Sequence, residues 1–464
     1  MSHQQKEQLQ KGLSERHIQM ISLGGAIGVG LFYGSATTIK LAGPAISLSY
    51  LIGGMIIFFI MRALGEMAVA EPVSGSFSAY ANKYIGPFAG YLTGWTYWFM
   101  WVVVGMAEIT AVGHYVNYWF PSIPTWVSAL GALVLMTAVN LINVKAFGEF
   151  EFWFALIKVV AIIGMIVAGV LMIFFGIGNG GQPIGFENLW VHGGFMPNGI
   201  TGILFSLVMV MFSFGGVELI GVTAGEAKDP QRSIPKAINQ VIWRILIFYV
   251  GALGVMMVIY PWNEIGANGS PFVLVFAKMG IPAAAAIINF VVLTAALSAF
   301  NSGLFSTGRM LYNLSLQNNA PKVFSKLSKS GTPSVGILFS SFLLLIAVFL
   351  NYVVPEKVFM YISAVATVAV ITSWTIILVT QIKFRKSKSK QEVEQLAFKL
   401  PFAPYSSYIA LVFLAFVVVM MGLIDGMNVA LIVAPIWFGI LFVGYKMRKN
   451  TDEKAVQQTT IVNE

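Results

Sequence analysis

Cysteine is absent from the 464 residues, so the chain can form neither a disulfide nor a thiolate metal site, and the redox compartment stays open. Charge is scarce as well. Asp, Glu, Lys and Arg make up 10% of the residues, against about a quarter in soluble domains, which argues against a water-soluble fold. The four histidines, His3, His17, His114 and His192, show no metal-ligand spacing, and no nucleophile–base motif accompanies them. An enzyme therefore finds no reactive constellation here. Residues 1–17 are polar and carry no apolar segment with a small-residue cleavage site, so no removable signal peptide is visible and the first span must itself direct insertion. Nor does the chain show the alternating segments of about ten residues that build an outer-membrane barrel. The run Val159–Phe175 is apolar or glycine at every position.

What is abundant is hydrophobic surface, at 57% of the residues. Apolar runs of about 18 residues or more recur along the chain, and a helix crossing a ~30 Å hydrocarbon core needs roughly 20. The pattern predicts an all-α membrane protein with about twelve spans: Ile18–Ile39, Ala45–Met67, Phe88–Tyr115, Trp126–Ile142, Phe152–Phe175, Thr201–Val222, Val241–Tyr260, Ala283–Ser306, Val335–Val354, Phe359–Ile382, Tyr408–Leu423 and Val429–Tyr445. An even number of spans places both termini on one side. Lysine and arginine crowd the N-terminus, the alternate loops around Lys83, Lys145, Lys228, Arg309 and Lys322, the run Lys383–Lys390 and the C-terminal tail. The opposite loops show only Lys40, Lys278 and Lys357, so both termini are expected in the cytoplasm. The net charge of +9 is thus mostly topogenic, and nucleic acid is not an expected partner. Lys383–Lys390 itself reads as a stop-transfer run, with a lipid-headgroup contact as the alternative. No loop is large enough for a soluble domain. The expected organisation is a cytoplasmic segment at 1–17, one membrane domain at 18–447 and a polar, mobile tail at 448–464. Within the membrane domain, helices 1–5 cover about 18–175, helices 6–10 about 201–382 and helices 11–12 about 408–445.

Two spans have unusual chemistry. The first contains the glycine-rich stretch Gly24–Gly30, and the sixth contains Phe212–Glu218 with Gly215 and Gly216. Glycine has no Cβ, so a helix can unwind at such places and present bare N–H and C=O groups to a ligand. The two spans stand five apart, as two inverted repeats with discontinuous first helices require. Close helix packing through small residues explains the same glycines, and the two readings stand side by side at this level. A dinucleotide-binding loop does not fit, because the glycines lie inside an apolar span with no strand before them.

The segments GGAIGVGLFYGS (Gly24–Ser35), AGP (Ala42–Pro44), MRALGEMAVAEPVSGSF (Met61–Phe77), GEFEFWFALIKV (Gly148–Val159), FGGVELIGVTAGEAKDP (Phe214–Pro230) and NSGLFSTGRMLY (Asn301–Tyr312) follow one another in order. In these the chain resembles bacterial amino-acid permeases of the amino acid–polyamine–organocation superfamily, over nearly its whole length. The resemblance implies the leucine-transporter-type fold: ten core helices in a 5+5 inverted repeat, with helices 1 and 6 discontinuous, followed by helices 11 and 12. It also implies a bacterial inner-membrane location, an amino-acid substrate, a proton as partner and no cofactor.

An amino acid brings an α-carboxylate and an α-ammonium into a site that must satisfy both without water. By similarity, N–H groups around Gly28, Val29 and Gly30 receive the carboxylate, and carbonyls near Ala26 and Phe212 accept from the ammonium. Half-helix ends carry partial charges of the matching sign. Phe212 resembles an aromatic lid, or else is a packing or lipid-facing ring, and its neighbour Ser213 joins the substrate candidates. Lys158 looks like the helix 5 lysine whose ammonium replaces a cation bridging helices 1 and 8; it could carry the coupling proton or be a permanently charged structural lysine. Glu218 and Glu108 could also take the proton, or serve as hydrogen-bonded structural acids, with Glu108 on the face that would line the pocket. Ser298 and Asn301 are hydroxyl and amide candidates on helix 8, or packing residues. Arg62 and Glu66, four residues apart near the cytoplasmic face, are expected to pair, and Arg244 to snorkel. The implied activity is proton-coupled import of small neutral amino acids, threonine and serine first. Proline, histidine or another neutral substrate, or amino-acid exchange, are the alternatives.

Overall fold

A computed structural model describes residues 27–73, 76–142, 144–219, 221, 230–265, 270–278 and 282–462 of the chain. It is built from helices, with no strand among the described residues. Among the described residues, ten helices are long and apolar enough to cross a membrane, and a shorter apolar helix runs Gly199–Ser213.

Keeping the span numbers above, the described part of helix 1 comprises Val29–Phe32 and Gly34–Ala42, and helix 2 is Ile46–Ala70. Helices 3, 4 and 5 are Pro87–Asn117, Thr125–Ile142 and Val144–Phe175. Helix 6 is α-helical over Gly199–Ser213, and helix 7 runs through Pro230–Arg244, a π-helical turn Ile245–Gly251 and Ala252–Ile259. Helices 8 to 12 are Pro282–Leu316, Ser334–Val353, Val358–Lys386, Tyr405–Leu423 and Val429–Val462. Helix 12 thus continues through the segment expected to be a mobile tail. Residues 446–462 contain neither glycine nor proline, so nothing local stops the helix.

Helix 6 has 15 residues before its break. At about 1.5 Å per residue it reaches about 22 Å, short of a ~30 Å core, so the break falls within the membrane. Helix 1 and helix 6 pack against each other in opposite directions. A Cβ built on Gly30 would lie 2.5 Å from Ser213 Cα, while one built on Gly202 would lie 2.2 Å from the Leu41 carbonyl oxygen. Early residues of one helix therefore face late residues of the other, as an inverted repeat demands. Helix 8 packs on helices 3, 5 and 9, and helix 10 on helices 2, 3 and 6. Helix 3 is enclosed on most sides, whereas helix 12 lies at the periphery against helices 3, 10 and 11. Outward-facing Val160, Ile163 and Val167 on helix 5 and Phe342, Leu345 and Phe349 on helix 9 are exposed, the apolar surface a lipid environment requires.

The basic end is tied together by long-range ion pairs. Buried Glu66 accepts from Arg385 Nε at 2.7 Å, from Arg385 Nη2, from Gln381 Nε2 at 2.9 Å and from the Leu400 amide at 2.6 Å. The expected Arg62–Glu66 pairing gives way to these bonds, because the two side chains leave helix 2 toward different neighbours: Arg62 donates to the Lys399 carbonyl and lies 3.7 Å from the Phe398 ring centroid. Arg244 does not snorkel either. It is 3% exposed, since helix 7 packs along helix 2 at this point.

Candidate functional site

The described part of helix 1 starts at a bend. Ile27 is buried, Gly28 is extended (φ −127°, ψ −155°) and the first helical turn begins at Val29. The first N–H groups of a helix lack intrahelical acceptors, so this turn offers donors and partial positive charge inside the protein. Glu108 of helix 3 answers one of them: the Val29 amide donates to Glu108 Oε1 at 3.3 Å. The carboxylate also presses on Gly28, where a Cβ would stand 2.5 Å from Glu108 Oε1. The acid expected on the pocket face thus sits on an amide that the family resemblance assigns to the substrate carboxylate.

Helix 6 closes the site from the other side. Ser213 Oγ donates to the Gly30 carbonyl at 2.8 Å and contacts Tyr50 Oη at 3.1 Å, and Tyr249 Oη donates to the Ser213 carbonyl at 3.0 Å. Beyond Ser213 the chain turns, with Gly216 at φ +101°, a conformation open to glycine. The Gly216 amide folds back onto both oxygens of Glu218 at 3.2 Å, and Trp374 Nε1 of helix 10 donates to Glu218 Oε2 at 3.1 Å. Glu218 is fully buried in this turn. The Phe212 carbonyl accepts from the Gly215 amide at 3.0 Å, and its ring is 5% exposed, packed edge-on against Phe359 beside Tyr33. A lipid-facing Phe212 is thereby ruled out.

Lys158, fully buried, links three helices. Its Nζ donates to the Ile27 carbonyl of helix 1 at 3.1 Å and to Ser298 Oγ of helix 8 at 3.0 Å. An ammonium standing between a helix 1 carbonyl and a helix 8 hydroxyl occupies the position that the resemblance gives to a bridging cation. Ser298 Oγ in turn donates to Glu151 Oε1 at 2.8 Å, and Glu151 is also fully buried. Asn301, one turn further along helix 8, accepts from Asn140 Nδ2 of helix 4 at 2.8 Å. Ala26, the remaining residue of the expected set, lies outside the described residues.

Glu151 is the residue that sequence reasoning missed. The apolar pattern starts the fifth span at Phe152, which puts the acid just outside it as a boundary residue. Its signal was available: Glu151 and Lys158 are seven apart, two helical turns, and so share a face of helix 5.

Antiparallel helices 1 and 6, with Lys158 and Glu108 buried against the described start of helix 1 and an apolar exterior around the bundle, make a multi-pass membrane protein, and its relatives are transporters. Residues 17–457 match the profile of the family described as amino acid permease, and the chain belongs to that family, within the amino acid–polyamine–organocation superfamily. It is 60% identical over 441 residues to the uncharacterized amino acid permease YtnA of Bacillus subtilis, with 95% of each chain covered. The probable threonine/serine transporter YbxG of the same organism is 52% identical over 439 residues, again covering 95% of each. The aromatic amino acid transport protein AroP of Escherichia coli is 49% identical over 454 residues, covering 98% of this chain and 99% of the relative.

Proposed function

We propose that the chain imports small neutral amino acids, threonine and serine first, together with a proton, and that Lys158 carries that proton. The observation that carries this reading is the Lys158 ammonium held between the Ile27 carbonyl and Ser298 Oγ. Protonated, it ties helix 1 to helices 5 and 8; deprotonated, it loses the charge that makes both contacts strong and frees helix 1 to move. Substrate binding links to the same helix. The incoming carboxylate and Glu108 compete for the amides at the start of helix 1, and two carboxylates cannot share that place while both are charged. Glu108 therefore withdraws or holds a proton when substrate is seated. Gly28, Val29 and Gly30 serve the carboxylate and Phe212 closes over the substrate. The membrane domain spans about 18–447 in the bacterial cytoplasmic membrane, with the basic end and both termini in the cytoplasm.

Threonine and serine are favoured by likeness to a relative named as a probable threonine/serine transporter. An aromatic substrate is the second reading, favoured by the comparable likeness to an aromatic amino acid transport protein. The test is uptake of radiolabelled threonine, serine, proline and tyrosine into proteoliposomes under an inward proton gradient, with Lys158→Ala beside the wild type. Threonine or serine accumulation that collapses with a protonophore and in the variant is the expected result. Uptake indifferent to the gradient refutes coupling, and uptake of tyrosine alone refutes the substrate.

A further inference from the structure

The bonds around Lys158 have a direction. Its Nζ donates to Ser298 Oγ, and Ser298 Oγ donates onward to Glu151 Oε1, at 3.0 and 2.8 Å, so each proton points along the same line from helix 5 through helix 8 and back to helix 5. All three residues are fully buried. Glu151 stands seven residues before Lys158, about 10 Å nearer the end of helix 5 that begins at Val144. That is the basic end of the bundle. The Ser302 hydroxyl and the Asn301 amide, also on helix 8, stand toward the same buried carboxylate. A carboxylate taken fully out of water is a costly group to keep for packing alone.

We propose that Ser298 and Glu151 form the route by which the proton carried by Lys158 leaves toward the basic, cytoplasmic end. This rests on the reading of Lys158 as the proton carrier. In the step, Lys158 Nζ gives a proton to Ser298 Oγ while the Ser298 hydroxyl proton passes to Glu151 Oε1. The products are a neutral amine, an intact hydroxyl and a neutral carboxylic acid. Release of the Glu151 proton at the basic end, rotation of the Ser298 hydroxyl and protonation of Lys158 from the opposite side complete one cycle with one proton moved inward. Glu108 on helix 3 is the other acid whose charge acts on Lys158, and it sits at the substrate amide, so occupation of the site and proton release act on one lysine from two sides. Ser298 is thereby a relay residue and Glu151 a proton acceptor, and neither is required to touch the amino acid.

The full-length protein in proteoliposomes, with a pH-sensitive dye in the lumen and an imposed inward proton gradient, reads proton entry and amino-acid uptake together. Glu151→Gln keeps the shape of the acceptor but cannot take the proton, and Ser298→Ala removes the relay that Ser298→Thr retains. Proton entry is expected to fall about a hundredfold in Glu151→Gln and in Ser298→Ala, as for loss of a positioned proton acceptor, and to recover in Ser298→Thr. Equilibrium binding of the transported amino acid to Glu151→Gln is expected to stay near wild type. Wild-type proton entry in Glu151→Gln, or equal behaviour of Ser298→Ala and Ser298→Thr, overturns the proposal. So does loss of binding in step with proton entry in Glu151→Gln, which marks a structural acid. If Glu151→Gln does not fold, the two serine variants decide. Wild-type uptake without proton entry is a different failure: it removes coupling itself, and the relay with it.

Discussion

Replacing Glu66 with Gln should destabilise the protein severely, and replacing Arg385 with Gln in the same chain should restore part of the loss. The Glu66 carboxylate accepts four hydrogen bonds, two from Arg385 and one each from Gln381 and the Leu400 amide, so it joins helix 2 to helix 10 and to the segment leading into helix 11. In the Gln variant an NH2 group must face donors on one side, and the Arg385 guanidinium is left without its counter-charge. Breaking a buried pair from one side costs about 3–5 kcal/mol. Because the Arg385 side chain keeps 18% exposure, a value near about 3 kcal/mol is expected. The double variant removes the stranded charge, and a coupling of about 2 kcal/mol should appear in the cycle. Thermal inactivation half-lives of the wild type, both single variants and the double variant, purified in detergent, provide the ranking. A Glu66→Gln half-life equal to that of a surface control, or a double variant whose loss equals the sum of the singles, refutes the reasoning.

Gly30→Ala should abolish transport with the protein still able to insert, because the new methyl would stand 2.5 Å from Ser213 Cα and push helix 1 from helix 6. The separation also strains the Ser213–Gly30 bond, for a combined cost of about 2–4 kcal/mol, measured as lost uptake beside a lowered unfolding temperature. At the basic end, burial opposes ionisation of Glu71, but hydrogen bonds from Lys83 and Tyr84 and the Lys83 charge outweigh it and hold the carboxyl below its usual range. Its contribution is therefore complete above the unfolded carboxylate value of about 4.3 and is lost as pH falls through the lower folded value. Glu71→Gln should flatten stability across that acidic window and change it by less than about 1 kcal/mol, as befits a partly exposed pair; an unchanged acid limb counts against this.

Much of the architecture was legible because the bilayer imposes it locally. Spans, turns and the interruption of helix 6 depend on runs of apolar residues and on glycines at fixed places, which a backbone without water must obey wherever the rest of the chain lies. The candidate site was legible in part for the same reason: Gly28, Val29, Gly30 and Ser213 belong to the glycine-rich stretches of spans 1 and 6, and Lys158 is a cation inside an apolar span. Glu151 was hidden because an acid beside a span boundary looks like an ordinary helix end.

The sequence by itself determined a membrane protein of many helices, with two glycine-rich spans five apart and a basic side. Only the tertiary structure decided which charges meet. Glu66 passes over Arg62, four residues away, for Arg385, 319 residues away, and Glu151 reaches Lys158 through Ser298, 147 residues along the chain. Periodicity says which face of a helix a side chain occupies, but the partner on that face is set by how helices from distant parts of the chain pack, and buried charges take the partner that packing presents.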